Sequence, residues 1–381
     1  MILYNCHAVL PDCVLENASV TVQDGRITAI QQKPYVAHLP LSEDLVDARG
    51  LFVGPGFVDV HCHGDGRTRF FDDPEHVAVN LARGGVTTVL GTLGYPDMKA
   101  NLEQQVERFM AALGPVGCQI VPGVHLEGPY VNPKYGAQTN RGIIKPPDPT
   151  EYHALLAAFP GIIKWWTCAP ELSGAIDFIK AASVEGVCVG AGHTEATPEQ
   201  ITEAIESGLS IIIHWSNATG NPRSAAYAGT RAPGIDEAAL IHDELTAEII
   251  PDEGGLHVHP VMARLLLKAK GPDRIVIITD AGYGRPDDPP DPPGARRDVS
   301  IDADGNLAGS RLTMAGAARN FRKFTSCDWP ELFRMAALNA ARLLKIDHEV
   351  GSLEVGKKAN LIIFDDDIRR IRTFLDGREV L

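Results

Sequence analysis

Gly54-Pro55-Gly56-Phe57-Val58-Asp59-Val60-His61-Cys62-His63-Gly64-Asp65-Gly66 decides how the rest of the chain is read. Residues 57–61 form an apolar, β-prone run between Gly-Pro-Gly and a glycine-rich turn, the pattern of a short buried strand. Side chains two apart on a strand point the same way. His61 and His63 therefore face one point where the strand ends, as two-histidine chelation of a divalent ion requires.

Around this stretch, 381 residues with 44% hydrophobic and 22% charged side chains are enough for one large core and a smaller second domain. A formal charge of −14 excludes nucleic acid as the expected partner, because a phosphate backbone calls for a Lys/Arg-rich face and no basic run is present. A small anion recruited by local basic residues is compatible with it. The opening Met1-Ile2-Leu3-Tyr4-Asn5 has no basic segment leading into an apolar one, and no window is long and apolar enough to span a bilayer. This predicts a cytoplasmic protein with no membrane partner. Seven cysteines (6, 13, 62, 118, 168, 188 and 327) are scattered without a Cys-x-x-Cys pair and read as small core residues in a reducing compartment. A metal site should then be built from His and carboxylates.

Residues 1–52 alternate short β-prone runs with turns, as in 19–22, the Asp24-Gly25 turn and 26–30. The far end is similar, with 351–356 leading into 359–364. Both ends are predicted to pair into one small β domain, a β-sandwich of residues 1–52 plus 346–381. Between them, residues 53–345 alternate strands at 57–61, 86–93, 118–126, 162–168, 187–192, 210–214, 245–251 and 274–280 with helical stretches at 101–113, 172–185, 198–208, 259–270 and 330–345. Eight strands in such alternation predict a (β/α)8 TIM-type barrel, whose active site lies at the C-terminal strand ends. A doubly wound open sheet is the alternative.

The strand ends carry metal-competent residues: His125-Leu126-Glu127 on strand three, Gly192-His193-Thr194 on five, His214-Trp215-Ser216-Asn217 on six and Thr279-Asp280-Ala281 on eight. One such histidine is ordinarily structural; several converging on one barrel mouth are not. His61, His63, Glu127, His193, His214 and Asp280 suffice for one ion or two. With two, Glu127 is the expected bridge; with one, Glu127, His193 and His214 hold it. Asp280 is the expected base, taking a proton from the attacking water and returning it to a leaving nitrogen.

The stretches PGFVDVHCHG (55–64), HLEGPY (125–130), GHTEAT (192–197), HWSNA (214–218), DEGGLHVHP (252–260), ITDAG (278–282) and LAGSRLTM (307–314) resemble the amidohydrolase superfamily, in particular the N-acetylglucosamine-6-phosphate deacetylase family. The resemblance runs over nearly the whole chain. It implies a hydrolase of carbon–nitrogen bonds in linear amides that removes the N-acetyl group of an amino-sugar 6-phosphate. Glu127, His193 and His214 match its metal ligands, Asp280 its catalytic Asp, and His61 with His63 the members that hold two ions. Zinc is the expected ion, and the same donors accept iron, manganese or cobalt. Asn217 and Ala218 match a phosphate-contacting motif, Arg231 a phosphate-binding Arg that reaches across a homodimer interface, and His257 a residue touching the sugar phosphate; His259 reads as structural. Met314 falls in a loop bordering the sugar site.

Three stretches depart from the family. Gln138 stands where members carry a His that polarises the acetyl carbonyl, and a glutamine donates a hydrogen bond without becoming cationic. Residues 219–227, after an unusual Trp215, form a longer loop. Residues 284–294 are Pro-rich and acidic, and read as a stiff surface linker, with a substrate lid as the alternative. Competing readings are a different N-acyl amine, a cyclic-amide hydrolase bridged by carboxylated Lys164 on strand four, and a metal-containing phosphosugar-binding protein without catalysis.

Overall fold

The computed structural model describes residues 1–32, 44–94, 101–136, 144–220, 230, 232–283, 298–301 and 305–381. Two sheets organise them. The larger contains a parallel series in chain order: strand one Phe57–Gly66, two Val86–Leu93, three Val124–Glu127, four Ile163–Cys168, five Cys188–Ala191, six Leu209–Ile212 and seven Thr246–Ile249. Strand eight comes in two pieces. Ile275–Ile277 pairs with strand seven, and Ala281–Tyr283 pairs with strand one. Between them the Asp280 N–H donates to the His61 carbonyl at 2.9 Å. One segment thus bonds to both ends of the series and closes the ring, as a (β/α)8 barrel requires; an open doubly wound sheet has no such closure.

Helices cover the outside because their apolar stripes need the strands' outward faces. Pro74–Arg83, Leu102–Ala111, Pro149–Ala158, Ala175–Val184, Pro198–Glu206, Ile235–Ile241, Pro260–Lys270 and Met314–Thr325 alternate with the strands. Of these, Pro74–Arg83, Pro149–Ala158, Ile235–Ile241 and Met314–Thr325 were not among the predicted helical stretches. The first two carry a readable start, an Asp N-cap (Asp73, Asp148) followed by Pro at the first helical position. The predicted strand over 118–126 is shorter, beginning at Val124, because Pro115–Ile120 is helical. The Glu75 carboxylate satisfies that helix's first N–H groups, accepting from Gly114, Val116 and Gly117 at 2.7–3.0 Å.

The second sheet unites the chain ends. Its order runs Arg378–Glu379, Ile371–Leu375, Leu361–Phe364, Phe52–Pro55, Ile2–Val9, Val14–Gln23, Arg26–Gln32, with Leu45–Asp47 also on Ile2–Val9. Leu3, Val20, Val53, Leu361 and Phe374 are buried in its own core. Cys6, Cys62, Cys168, Cys188 and Cys327 are buried as expected, whereas Cys13 and Cys118 are exposed. Among the described residues, no helix is long and apolar enough to cross a membrane.

Candidate metal centre

The strand-end residues of the predicted set converge. Glu127 ends strand three; its Oε1 lies 2.9 Å from His193 Nε2 and 3.4 Å from the Nε2 atoms of both His214 and His61, and its Oε2 lies 3.1 Å from His63 Nε2. Two ligand triads result, His61–His63–Glu127 and Glu127–His193–His214, and Glu127 belongs to both. Asp280 Oδ1 stands beside the first, 3.3 Å from His63 Nε2 and 3.6 Å from His61 Nε2.

The backbone is bent to achieve this. His193, His214 and Asp280, each just past a strand, have positive φ angles of 47°, 29° and 47°. Such a conformation costs a non-glycine residue about 1–3 kcal/mol and persists only where the surroundings impose it. Gly94 is a second enforced position: at φ +147° it lies against Glu127, and a Cβ there would come within 2.4 Å of the Glu127 carbonyl oxygen.

The donor set fits a cation. His193 Nδ1 lies 3.2 Å from the Tyr135 carbonyl and His214 Nδ1 3.0 Å from the Asn217 carbonyl. A carbonyl only accepts, so the proton of each ring is on Nδ1 and each Nε2 presents a lone pair. Those Nε2 atoms are 3.1 Å apart and face Glu127. His61 Nε2 is likewise buried without a hydrogen-bond partner. Lone pairs and carboxylate oxygens gathered this closely repel one another unless a positive charge lies among them.

The local field agrees. Burial opposes charge on His61, yet the carboxylates of Glu127, Asp280 and Glu248 overcome it and hold the ring well above the usual imidazole value. His63 is raised to about 9 against its burial, by hydrogen bonds to Asp280 and Glu127. Burial would raise Glu127 and Asp280; the His61 charge and hydrogen bonds from the other rings keep both below the ordinary carboxylate value.

Beneath the ligands is a polar layer of residues outside the predicted ligand set. His125 is buried between Thr92 (Oγ1 3.3 Å from Nδ1) and Thr167 (Oγ1 2.9 Å from Nε2), and its ring meets His61 edge-on at 4.5 Å. Burial, reinforced by the His61 charge, holds its pKa well below normal, so it supports the site as a neutral ring. Asp59 accepts from Thr279 Oγ1 at 2.6 Å, tying strand one to strand eight. Glu248 on strand seven bonds His61 Nδ1 at 3.0 Å. The available signal was parity: Asp59 and His61, or His125 and Glu127, are two apart on one strand.

The other expected residues are placed as follows, and the location of Met314 is corrected. Met314 opens the helix Met314–Thr325 behind the N-cap Thr313 and is buried; it is not in a loop. Trp215 is wholly buried and donates to the Asp236 carbonyl at 3.1 Å, holding the helix Ile235–Ile241. Trp165 and Thr167 face His125, so Lys164 points outward by strand parity and cannot bridge ions inside the barrel. His257 is buried, bonded through Nδ1 to Asp252 at 3.1 Å. His259 caps the helix Pro260–Lys270 through Nδ1, a structural role. Asn217 and Ala218 lie on the turn after strand six, where Ser216 and Ala218 also have positive φ. Gln138, Arg231, residues 221–227 of the longer loop and the segment 284–294 lie outside the described residues.

A closed parallel barrel with imidazole and carboxylate donors at its C-terminal mouth is the architecture of a metal-dependent hydrolase. The Amidohydrolase family profile matches residues 52–380. The chain is 30% identical over 383 residues to the N-acetylglucosamine-6-phosphate deacetylase of Bacillus subtilis, covering 96% of this chain and 93% of that one. It is 31% identical over 379 residues to the N-acetylgalactosamine-6-phosphate deacetylase of Escherichia coli O157:H7, covering 96% and 95%. The crystal structure of N-acetylglucosamine-6-phosphate deacetylase from Pasteurella multocida superimposes with a TM-score of 0.85 at 28% identity, covering 99% of this chain and 98% of that one. The chain belongs to the amidohydrolase family and, within it, to the N-acetylglucosamine-6-phosphate deacetylase family.

Proposed function

We propose that the protein hydrolyses the N-acetyl group of an amino-sugar 6-phosphate, N-acetylglucosamine 6-phosphate, to acetate and the free amine. The observation that carries this reading is the pair of ligand triads sharing Glu127 beside Asp280. The relatives that match the whole chain are named as deacetylases of two epimeric sugar phosphates, which favours catalysis over mere binding.

His61, His63 and Glu127 would hold one divalent ion, and Glu127, His193 and His214 a second, with zinc expected and iron, manganese or cobalt suited to the same donors. Such an ion supplies Lewis acidity to the acetyl carbonyl and lowers the pKa of water towards neutrality. Asp280 begins as a carboxylate: in the metal-free protein the charge on His61 and the hydrogen bond from His63 outweigh its burial, and a bound cation would supply that positive charge in their place. It takes the proton released as water oxygen bonds to the carbonyl carbon, then gives it to nitrogen as the carbon–nitrogen bond breaks. Gln138 donates a neutral hydrogen bond to the carbonyl oxygen.

The phosphate is held by the turn after strand six. Left-handed residues at 214, 216 and 218 curl the backbone there, and no described residue accepts the Ala218 N–H. Curled N–H groups of this kind bind anions. Asn217 and Arg231 supply side-chain donors, Arg231 through its planar fork and from the second protomer of a homodimer. His257 and Met314 complete the sugar site, and the same reading makes the protein cytoplasmic.

Acetate release by metal-reconstituted protein tests the reading, with N-acetylglucosamine 6-phosphate, its galacto epimer and unphosphorylated N-acetylglucosamine compared. Preference for the gluco phosphate supports it. Preference for the galacto epimer moves the substrate to the chemistry of the second relative, and no turnover of any by the metallated protein refutes it.

A further inference from the structure

Glu248 lies in the middle of strand seven with its side chain in the barrel interior and 0% exposed. A carboxylate removed from water persists only where specific bonds replace its hydration. Its Oε2 lies 3.0 Å from His61 Nδ1 and accepts the backbone N–H of His214 at 3.2 Å, while its own carbonyl accepts the Trp215 N–H at 2.9 Å. Its Oε1 has no hydrogen-bond partner.

These bonds have a directional consequence. An ionised carboxylate only accepts, so the proton of a neutral His61 ring is on Nδ1 and its lone pair is on Nε2. Nε2 is the buried, unpartnered atom that faces Glu127 and Asp280. His193 and His214 take the same tautomer from backbone carbonyls. His61 alone of these three depends on a side chain for it.

We propose that Glu248 is the positioning residue of the first ion site: it fixes the tautomer and aim of His61, so that the His61–His63–Glu127 triad binds its ion at full affinity only with Glu248 in place. This rests on the two-ion reading above. A carboxylate behind a metal-ligating imidazole is a recurrent support, and its loss typically weakens ion affinity 10–100-fold.

The test is cobalt titration of metal-free protein, read by ion content per chain and by the cobalt absorption spectrum. Wild type, Glu248→Ala, Glu248→Gln and His63→Asn are compared, the last as the reference for a damaged first site. Wild type should bind two ions. Glu248→Ala should bind one tightly and the other about 10–100-fold more weakly, its one-ion spectrum superimposing on that of His63→Asn. Glu248→Gln, which keeps an acceptor for His61, should recover most of the affinity. Two ions at wild-type affinity in Glu248→Ala, or equal loss of both, overturns the proposal. A wild type that binds a single ion overturns the two-ion reading itself, a separate result. Should Glu248→Ala fail to fold, histidine 15N spectra of the zinc-loaded wild type decide, with His61 assigned by its loss in His61→Asn. A proton on Nδ1 is expected, and one on Nε2 refutes the role.

Discussion

Replacing Asp280 by Asn separates the base from the metal ligands. The residue is held by its main chain: its N–H donates to the His61 carbonyl at 2.9 Å, its carbonyl accepts from Ser310 at 2.7 Å, and φ is 47°. An asparagine, which tolerates this conformation, should occupy the same place. The triad Glu127–His193–His214 does not include position 280, so at least its ion should remain. What disappears is the carboxylate oxygen, 3.3 Å from His63 Nε2, that is proposed to receive the proton. General acid–base catalysis is worth roughly 10²–10⁴ in rate, about 2.7–5.4 kcal/mol of barrier at about 1.36 kcal/mol per decade. The expectation is a fall of that size in kcat for acetate release, with KM little changed and ion content measured on the same sample. A kcat within fivefold of wild type would refute Asp280 as the base. Loss of the second ion together with activity would refute the separation of roles.

Removing the metal should lower thermal stability as well as activity, because an ion bound only by the folded chain at 100 times its Kd contributes about 2.7 kcal/mol; identical melting with and without chelator would contradict the site. Gly94→Ala should destabilise by about 1–3 kcal/mol and weaken ion binding, since its Cβ meets the Glu127 carbonyl at 2.4 Å. An unchanged urea midpoint and ion affinity would show that strand three yields there at no cost. Asp252 gives a pH test away from the ligands. Burial would raise its pKa, but the His257 ring and the N–H groups of Leu256 and His257 lower it on balance. A carboxyl lowered on folding stabilises fully above its unfolded value, near 3.9, and loses that contribution as pH falls through the folded value. Asp252→Ala should therefore cost about 1–3 kcal/mol at neutral pH, and the deficit should shrink below about pH 4. A pH-independent deficit would assign the loss to packing instead.

Much of this molecule was legible in the chain, because its signals are local. Short, continuous apolar runs alternating with helical stretches predicted the barrel, and the spacing of His61 and His63 put two donors on one strand face. His193, His214 and Asp280 could be picked out because each follows an apolar strand, and the four imidazoles meet Glu127 at 2.9–3.4 Å with Asp280 3.3–3.6 Å from two of them, in agreement with the convergence expected. Helix starts at Asp73-Pro74 and Asp148-Pro149 were equally local and could have been read.

What the tertiary structure alone decided is long-range. Closure depends on one segment pairing Ile275–Ile277 with strand seven and Ala281–Tyr283 with strand one, a bond pattern with no signature in the local order of residues. Met314 opens a helix rather than lying in a loop, and the barrel elements packed around that helix bury it. Glu248 is the sharpest case. Within Thr246-Ala247-Glu248-Ile249 a glutamate reads as a solvent-facing residue, and only its bond to a histidine 187 positions earlier explains a charge inside the barrel. Local sequence sets which way a side chain alternates; which partner it then meets is decided by how eight distant strands close on one another.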